Sequence, residues 1–240
     1  MKAPIQTPAV EPRLQRVLPH SSAAIARVAP AVRARVTATR RDGTHARTFL
    51  LAAAEVRIGA QVDKAEVELA QDERVAPVHA LIRFEGRKLV VEPLPDAPGG
   101  VFIALKERPL RPDDELMVGR QRLRVEWVAS AHDARGEPLP GDAGRFLARA
   151  VMLDEDGAFG DSFSLKRGNN LLGTGRCEVT FPSEAVVSPR HASINVKPGQ
   201  LTVRDLRSAS GTFVRLNGRT SIRFGDQLLI GDHLLRFERP

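Results

Sequence analysis

The sequence repeats itself, and the repeat limits the fold more than any other feature. At an offset of 114, Asp42-Gly43 falls on Asp156-Gly157, Phe49 on Phe163, Leu51 on Leu165 and Ile58-Gly59 on Leu172-Gly173. Past one loop, Ala60 to Ala65 against Thr174 to Cys177, the offset becomes 112 and holds. Glu66-Val67 then meets Glu178-Val179, Pro77 meets Pro189, His79-Ala80 meets His191-Ala192, and Leu89 and Val91 meet Leu201 and Val203. Further on, Gly99 meets Gly211, Asp114 meets Asp226, Gly119 meets Gly231 and Leu123 meets Leu235. A register kept through turn glycines and apolar positions alike marks a duplication. Each copy, about 95 residues long, is of ordinary domain size and can bury its own core.

Within a copy the texture is of short alternating segments. Arg33 to Thr39, Thr48 to Leu51, Glu55 to Gly59, Ala80 to Phe84, Leu89 to Leu94 and Gln121 to Trp127 read as strands, punctuated by Asp42-Gly43, Glu85-Gly86 and Pro98-Gly99-Gly100. Many short strands at regular spacing predict an all-β sandwich or barrel. Ala192 to Val196 and Leu201 to Leu206 form a hairpin through Lys197-Pro198-Gly199-Gln200. Antiparallel pairing brings two polar loops, Ser188-Pro189-Arg190-His191 and Ser208-Ala209-Ser210-Gly211-Thr212, to one rim. Hydroxyls, a guanidinium and an imidazole gathered there suit an anion.

The expected organisation is a Pro-rich disordered tail over 1–31, a β-domain over 32–128, a linker over 129–144 and a second β-domain over 145–240. The tail has room for a short helix near Ser22 to Val28, and Thr7-Pro8 in it offers a phosphorylation site whose phosphate could occupy the rim.

A formal charge of +7 and a pI near 10.4 incline the chain toward acidic partners. Aromatic residues are only 5%, and no recognition helix is evident, which argues against nucleic acid. The single cysteine, Cys177, excludes an internal disulfide framework and fits a reducing compartment, although Arg176 beside it could lower its pKa. No apolar run suggests a membrane span and the Met1 end lacks a signal-peptide layout, so a cytoplasmic location is expected. No nucleophile elbow, phosphate loop ahead of a helix or metal-spaced histidine set is present, so neither catalysis, a cofactor nor a metal is expected.

The second copy resembles a forkhead-associated (FHA) domain. The resemblance rests on Leu172-Gly173, Ser188-Pro189-Arg190-His191-Ala192, the run Asp205 to Val214, Asn217-Gly218, Gly225-Asp226 and Ile230-Gly231. It implies two FHA-like β-sandwiches in tandem, of bacterial type, and a phosphothreonine-binding adaptor in serine/threonine kinase signalling, acting through the C-terminal copy. The partner implied is a phosphothreonine-containing protein or peptide. Phosphopeptide-binding positions carried over are Thr174, Arg176, Ser188, Arg190, Ser208, Ala209, Ser210 and Gly211. Motif positions that shape the fold are Gly173, His191, Thr212, Asp226 and Gly231. Thr174 stands where the family has its phosphate-binding Arg, leaving Arg176 and Arg190 as the cations at hand, and Ser210 replaces the family Asn that grips the peptide. These departures favour, as an alternative, a phospho-independent interaction or assembly module.

The first copy has Ala60 and Ala76 at ligand positions and Leu94 to Gly100 for the second loop, yet keeps His79. It reads as a degenerate copy that does not bind phosphothreonine. Because His79 outlasts the ligands, His191 reads as a loop organiser, whereas Ser188, opposite Ala76, reads as a ligand. Asp205 and Asp226 read as turn carboxylates.

Overall fold

The computed structural model describes residues 13–17, 31–69, 72–111, 113–128, 146–154 and 156–240. All of its regular structure is β. The expected linker, Thr7 and the stretch from Ser22 to Val28 lie outside the described residues, but Arg13–Val17, within the expected tail, forms a strand, β1, parallel to Arg47–Leu51.

The first half of the sequence contributes β2 (Ala34–Arg40), β3 (Arg47–Leu51), β4 (Glu55–Gly59), β5 (Val67–Glu68), β6 (Ala80–Glu85), β7 (Lys88–Pro93), β8 (Val101–Leu105), β9 (Glu107–Leu110), β10 (Glu115–Val118) and β11 (Gln121–Trp127). The second half repeats the succession as β12 (Phe146–Leu153), β13 (Phe159–Lys166), β14 (Gly168–Gly173), β15 (Val179–Thr180), β16 (Ala192–Lys197), β17 (Gln200–Asp205), β18 (Thr212–Arg215), β19 (Thr220–Ile222), β20 (Gln227–Ile230) and β21 (His233–Glu238).

The compact units do not coincide with these halves. Unit 1 is residues 1–100 with 217–240, and unit 2 is residues 101–216. The boundaries expected at 32–128 and 145–240 therefore describe sequence repeats, and each unit draws on both. In unit 1 the strand orders are β1-β3-β2-β21-β20 and β19-β7-β6-β4-β5. The last strand lies against the first repeat, with Val36 opposite Phe237 and Ala38 opposite Leu235. In unit 2 the orders are β8-β18-β10-β11-β12-β13 and β15-β14-β16-β17-β9. There Val125 is opposite Ala150, and Leu110 is opposite Leu201.

Alternation explains why the exchange is tolerated. Each strand sends every second side chain inward, and the core of unit 2 mixes Leu110, Leu116, Leu123 and Val125 of the first repeat with Leu165, Leu172, Ile194 and Val203 of the second. Since the repeats share one apolar register, a segment from either fills the same seat. Burial of a Leu or Val side chain contributes about 1.5–3 kcal/mol whichever repeat supplies it.

In unit 1 the buried His79 ties two loops together. Its Nδ1 accepts the Ala76 N–H at 3.2 Å, so the proton sits on Nε2, which donates to the Gly100 carbonyl at 3.2 Å. Burial pushes its pKa below the ordinary 6.5, against the smaller opposing effects of the Gly100 carbonyl and Asp72. Burial likewise lowers His233 of the same unit. The unfolded chain therefore binds protons that the folded unit refuses, so stability is complete above 6.5 and falls as pH drops toward the depressed folded values. We expect the melting temperature to decline between about pH 7 and pH 5, and His79→Gln to flatten that slope. An unchanged slope in the variant, read by thermal melts at matched ionic strength, would remove His79 from the account.

Candidate functional site

Three loops meet at one end of unit 2. They are residues 174–178 between β14 and β15, residues 181–191 between β15 and β16, and residues 206–211 between β17 and β18. The hairpin of β16 and β17 sets this geometry, with Ala192 opposite Asp205 and Lys197 opposite Gln200.

The loops are stitched by named bonds. His191, fully buried, accepts the Ser188 N–H on Nδ1 at 3.1 Å and donates from Nε2 to the Gly211 carbonyl at 3.0 Å. The tautomer follows from the first bond, since a backbone N–H needs an unprotonated ring nitrogen. The half-buried Ser188 accepts the Ala209 N–H on its hydroxyl oxygen at 3.0 Å. Ser210 donates its hydroxyl hydrogen to the Val186 carbonyl at 2.8 Å. The shortest loop is laid along the second, because the Thr174 and Gly175 N–H groups donate to the Ser188 and Pro189 carbonyls at 3.3 and 3.1 Å. Gly173 makes this approach possible, since a Cβ there would run into the Pro189 carbonyl.

Asp205 holds the third loop. Its Oδ1 accepts the hydroxyls of Ser208 at 2.6 Å and Thr212 at 2.7 Å, and its Oδ2 accepts the Ser208 N–H at 3.2 Å. Several bonds to one carboxylate fix the loop's path, including Arg207 in the left-handed region at φ 60.

The predicted ligand positions now separate. The Ser208 N–H and hydroxyl are taken up by Asp205, and the Ala209 N–H by the Ser188 hydroxyl of the neighbouring loop. The Ser210 and Gly211 N–H groups donate to no described residue. Ser188 accepts through its oxygen, and its hydroxyl hydrogen is donated to no described residue. Arg176 is exposed and pairs with no described residue. Arg190, exposed in the second loop, also lines a polar groove of about 600 Å³ on the face of the second sheet with Asn195, Lys197, Thr202 and Arg204. Arg207, also exposed and unpaired among the described residues, was missed as a candidate cation. Its signal was its place between Asp205 and Ser208, where the clamp turns the chain outward.

Asp226 and Gly231 are motif positions that the structure places in unit 1. Asp226 accepts the Arg223 N–H at 2.8 Å, and Gly231 lies against Asp72 and Val75 of the first repeat. Their counterparts Asp114 and Gly119 occupy those roles in unit 2, with Asp114 accepting the Arg111 N–H at 3.0 Å and Gly119 facing Val187. Cys177 has its thiol pKa raised, chiefly by burial and then by the Glu178 carboxylate, while Arg190 only partly opposes. Its Sγ–H donates to the Pro189 carbonyl at 3.3 Å, which leaves it a packing residue of the loop rather than an activated thiol.

Residues 168–231 match the family model of the FHA domain. This FHA match spans β14 to β18 in unit 2 and continues through β19 and β20 in unit 1. No curated protein matches the chain. Among solved structures, one from an analysis of phosphothreonine-dependent FHA domain interactions is 26% identical, with 38% of this chain and 96% of that one covered and a TM-score of 0.25. The Mycobacterium tuberculosis EmbR protein in complex with a low affinity phosphopeptide is 20% identical over 45% of this chain and 26% of that one, with a TM-score of 0.25. The FHA domain of the Chlamydia trachomatis CT664 protein is 18% identical over 34% of this chain and 87% of that one, with a TM-score of 0.21.

Proposed function

We propose that the three-loop rim of unit 2 binds phosphothreonine on a partner protein, making the chain a non-enzymatic interaction module. The observation that carries this reading is the donor set left over at the rim: the Ser188 hydroxyl, the Ser210 and Gly211 N–H groups, and the guanidinium groups of Arg176 and Arg207. A phosphothreonine brings about −1.5 to −2 charges and three acceptor oxygens, which suits this collection. Thr174 adds a hydroxyl where the family places a guanidinium, and the exposed Arg176 two residues on supplies the charge. The FHA match over 168–231 supports the same reading. So does the first repeat by contrast, since Ala60 and Ala76 offer no such donors. That repeat is proposed as a degenerate FHA copy, and the pair as an adaptor within serine/threonine kinase signalling.

Charge-assisted hydrogen bonds are worth about 1.5–3 kcal/mol each. Titration of a phosphothreonine peptide library is therefore expected to give affinities on the order of micromolar, weakened about 10- to 100-fold by Arg176→Ala or Ser188→Ala. Binding indifferent to phosphate would overturn the reading.

A second reading has its own observation. Ser210, at the position of the family Asn, spends its hydroxyl hydrogen on Val186 and closes the rim on itself. A phospho-independent assembly module follows if the rim binds protein through shape alone. Its partners would survive phosphatase treatment in pull-downs.

A further inference from the structure

The two repeats carry the same apolar pattern, so apolar packing does not say which terminal segment should complete which unit. A chain folded the ordinary way would close each repeat on its own last three strands. The structure instead closes the second repeat with β9 to β11 and the first with β19 to β21. Something other than the core must discriminate.

Charge does so at each seat. In unit 2, β9 lies along β17 with Glu107 opposite Arg204, and the two side chains pair at 3.6 Å. In unit 1, Arg219, one residue before β19, pairs with Glu85 of the β6–β7 hairpin. The repeat register gives the contacts of the ordinary closure. At the offset of 112, Arg204 corresponds to Glu92 and Arg219 to Glu107. Closing the repeats on themselves would put Arg204 beside Arg219, and Glu107 beside Glu92 and Glu85.

The turn between the last two strands shows the same logic. In unit 1, Arg74 reaches Asp232 at 3.8 Å, and Asp72 accepts the Asp232 N–H at 2.6 Å. In unit 2, Gln121 donates to Glu184 at 2.8 Å. Ordinary closure would bring Arg74 to Arg120, the counterpart of Asp232, and would put His233, the counterpart of Gln121, beside Glu184. On the other sheet of unit 2, Arg215 of the second repeat pairs with Glu115 of the first at 3.0 Å, whereas ordinary closure would offer it Gln227.

We infer that these charges are the selector: they make residues 101–128 of the first repeat the dedicated partner of the second repeat's body, and reject residues 217–240 from that seat. This assigns the first repeat a task of its own, completing the unit that bears the rim. Each exposed pair contributes little alone. Discrimination needs only the difference between attraction and repulsion, summed over several seats whose apolar contacts are otherwise equivalent.

The test uses the full chain with Cys177→Ser and two alternative cysteine pairs. Thr202 is opposite Pro109 in the exchanged register. In ordinary closure it would be opposite Ser221, by the β7–β19 pairing of Ser221 with Val90 carried over the repeat. Facing residues of antiparallel strands lie within disulfide reach, about 4.5–5.5 Å between Cα atoms. Oxidation is expected to join Thr202→Cys to Pro109→Cys within one chain and to leave Thr202→Cys with Ser221→Cys unjoined, read by intact mass and gel mobility. Exchanging the charges, Glu107→Arg with Arg219→Glu, turns both attractions into repulsions and makes ordinary closure the complementary one. All four of the side chains paired at these two seats are well exposed, so the double variant retains its cores. The ratio of the two crosslinks is expected to shift at least about tenfold toward Ser221. A Ser221 crosslink in the parent, a Pro109 crosslink only between separate chains, or a ratio unmoved by the charge exchange would each overturn the inference.

Discussion

Replacing His191 by alanine is expected to lower the stability of unit 2 by about 3 kcal/mol, a melting shift of about 10 °C. The imidazole is fully buried and answers two backbone groups at once, the Ser188 N–H and the Gly211 carbonyl. Alanine leaves both without a partner, at about 1–3 kcal/mol each, and opens a void where the ring lay. Because Ser188 and Gly211 belong to different loops, the same substitution should let those loops part. Amide exchange over 186–191 and 206–211 is expected to rise together. His191→Asn, whose side chain can still accept from Ser188 but is too short for Gly211, should recover part of the loss. A melt within about 1 °C of the parent would show that the loops are held by other bonds.

Glu115→Gln is expected to cost a comparable amount, about 3 kcal/mol, from the opposite sheet of the same unit. This nearly buried carboxylate accepts from Arg122 at 2.9 Å, Arg124 at 3.3 Å and Arg215 at 3.0 Å. An amide of the same size keeps the packing but removes the negative charge that these three guanidinium groups share. The pH dependence gives a second readout. Burial pushes the Glu115 carboxyl up, but the guanidinium groups of Arg215 and Arg122 more than reverse this, so its pKa lies below the ordinary 4.5. The unfolded chain thus takes up this proton first. The contribution is complete above 4.5 and is lost as pH falls through the folded value. The variant should lack this part of the acid transition. Equal acid slopes in parent and variant, from denaturant titrations at several pH values, would refute the assignment.

The strands were legible because alternation over a half-buried sheet is a local signal. Glu55–Gly59 and Gln121–Trp127 are the segments expected, and the hairpin over 192–205 differs by one residue at each end of its turn and at the end of its second strand. The exchange was not legible for the same reason: Leu116 and Leu228, or Leu123 and Leu235, carry one pattern, and a pattern shared by both repeats cannot say which copy fills which seat. The strand β1 is not legible, because prolines surround it in the sequence and among the described residues its one neighbour is parallel. At the rim, the comparison of His79 with His191 exposed a role that both units show. The use of Ser208 by Asp205, and of the Ala209 N–H by Ser188 of another loop, are contacts that no spacing rule specifies. Arg190, in the turn just before the buried His191, lines the groove on the second sheet, a placement that the loop motif alone does not specify.

Unit 2 is one uninterrupted stretch, residues 101–216, nested inside a unit 1 whose two parts lie before and after it. During synthesis the nested unit has all its strands once Leu216 has left the ribosome. The enclosing unit stays open until residues 217–240 arrive, with β2 and β7 presenting unfilled edges in the meantime. Birth order thus runs inside out: the rim is ready before the strands made ahead of it are secured.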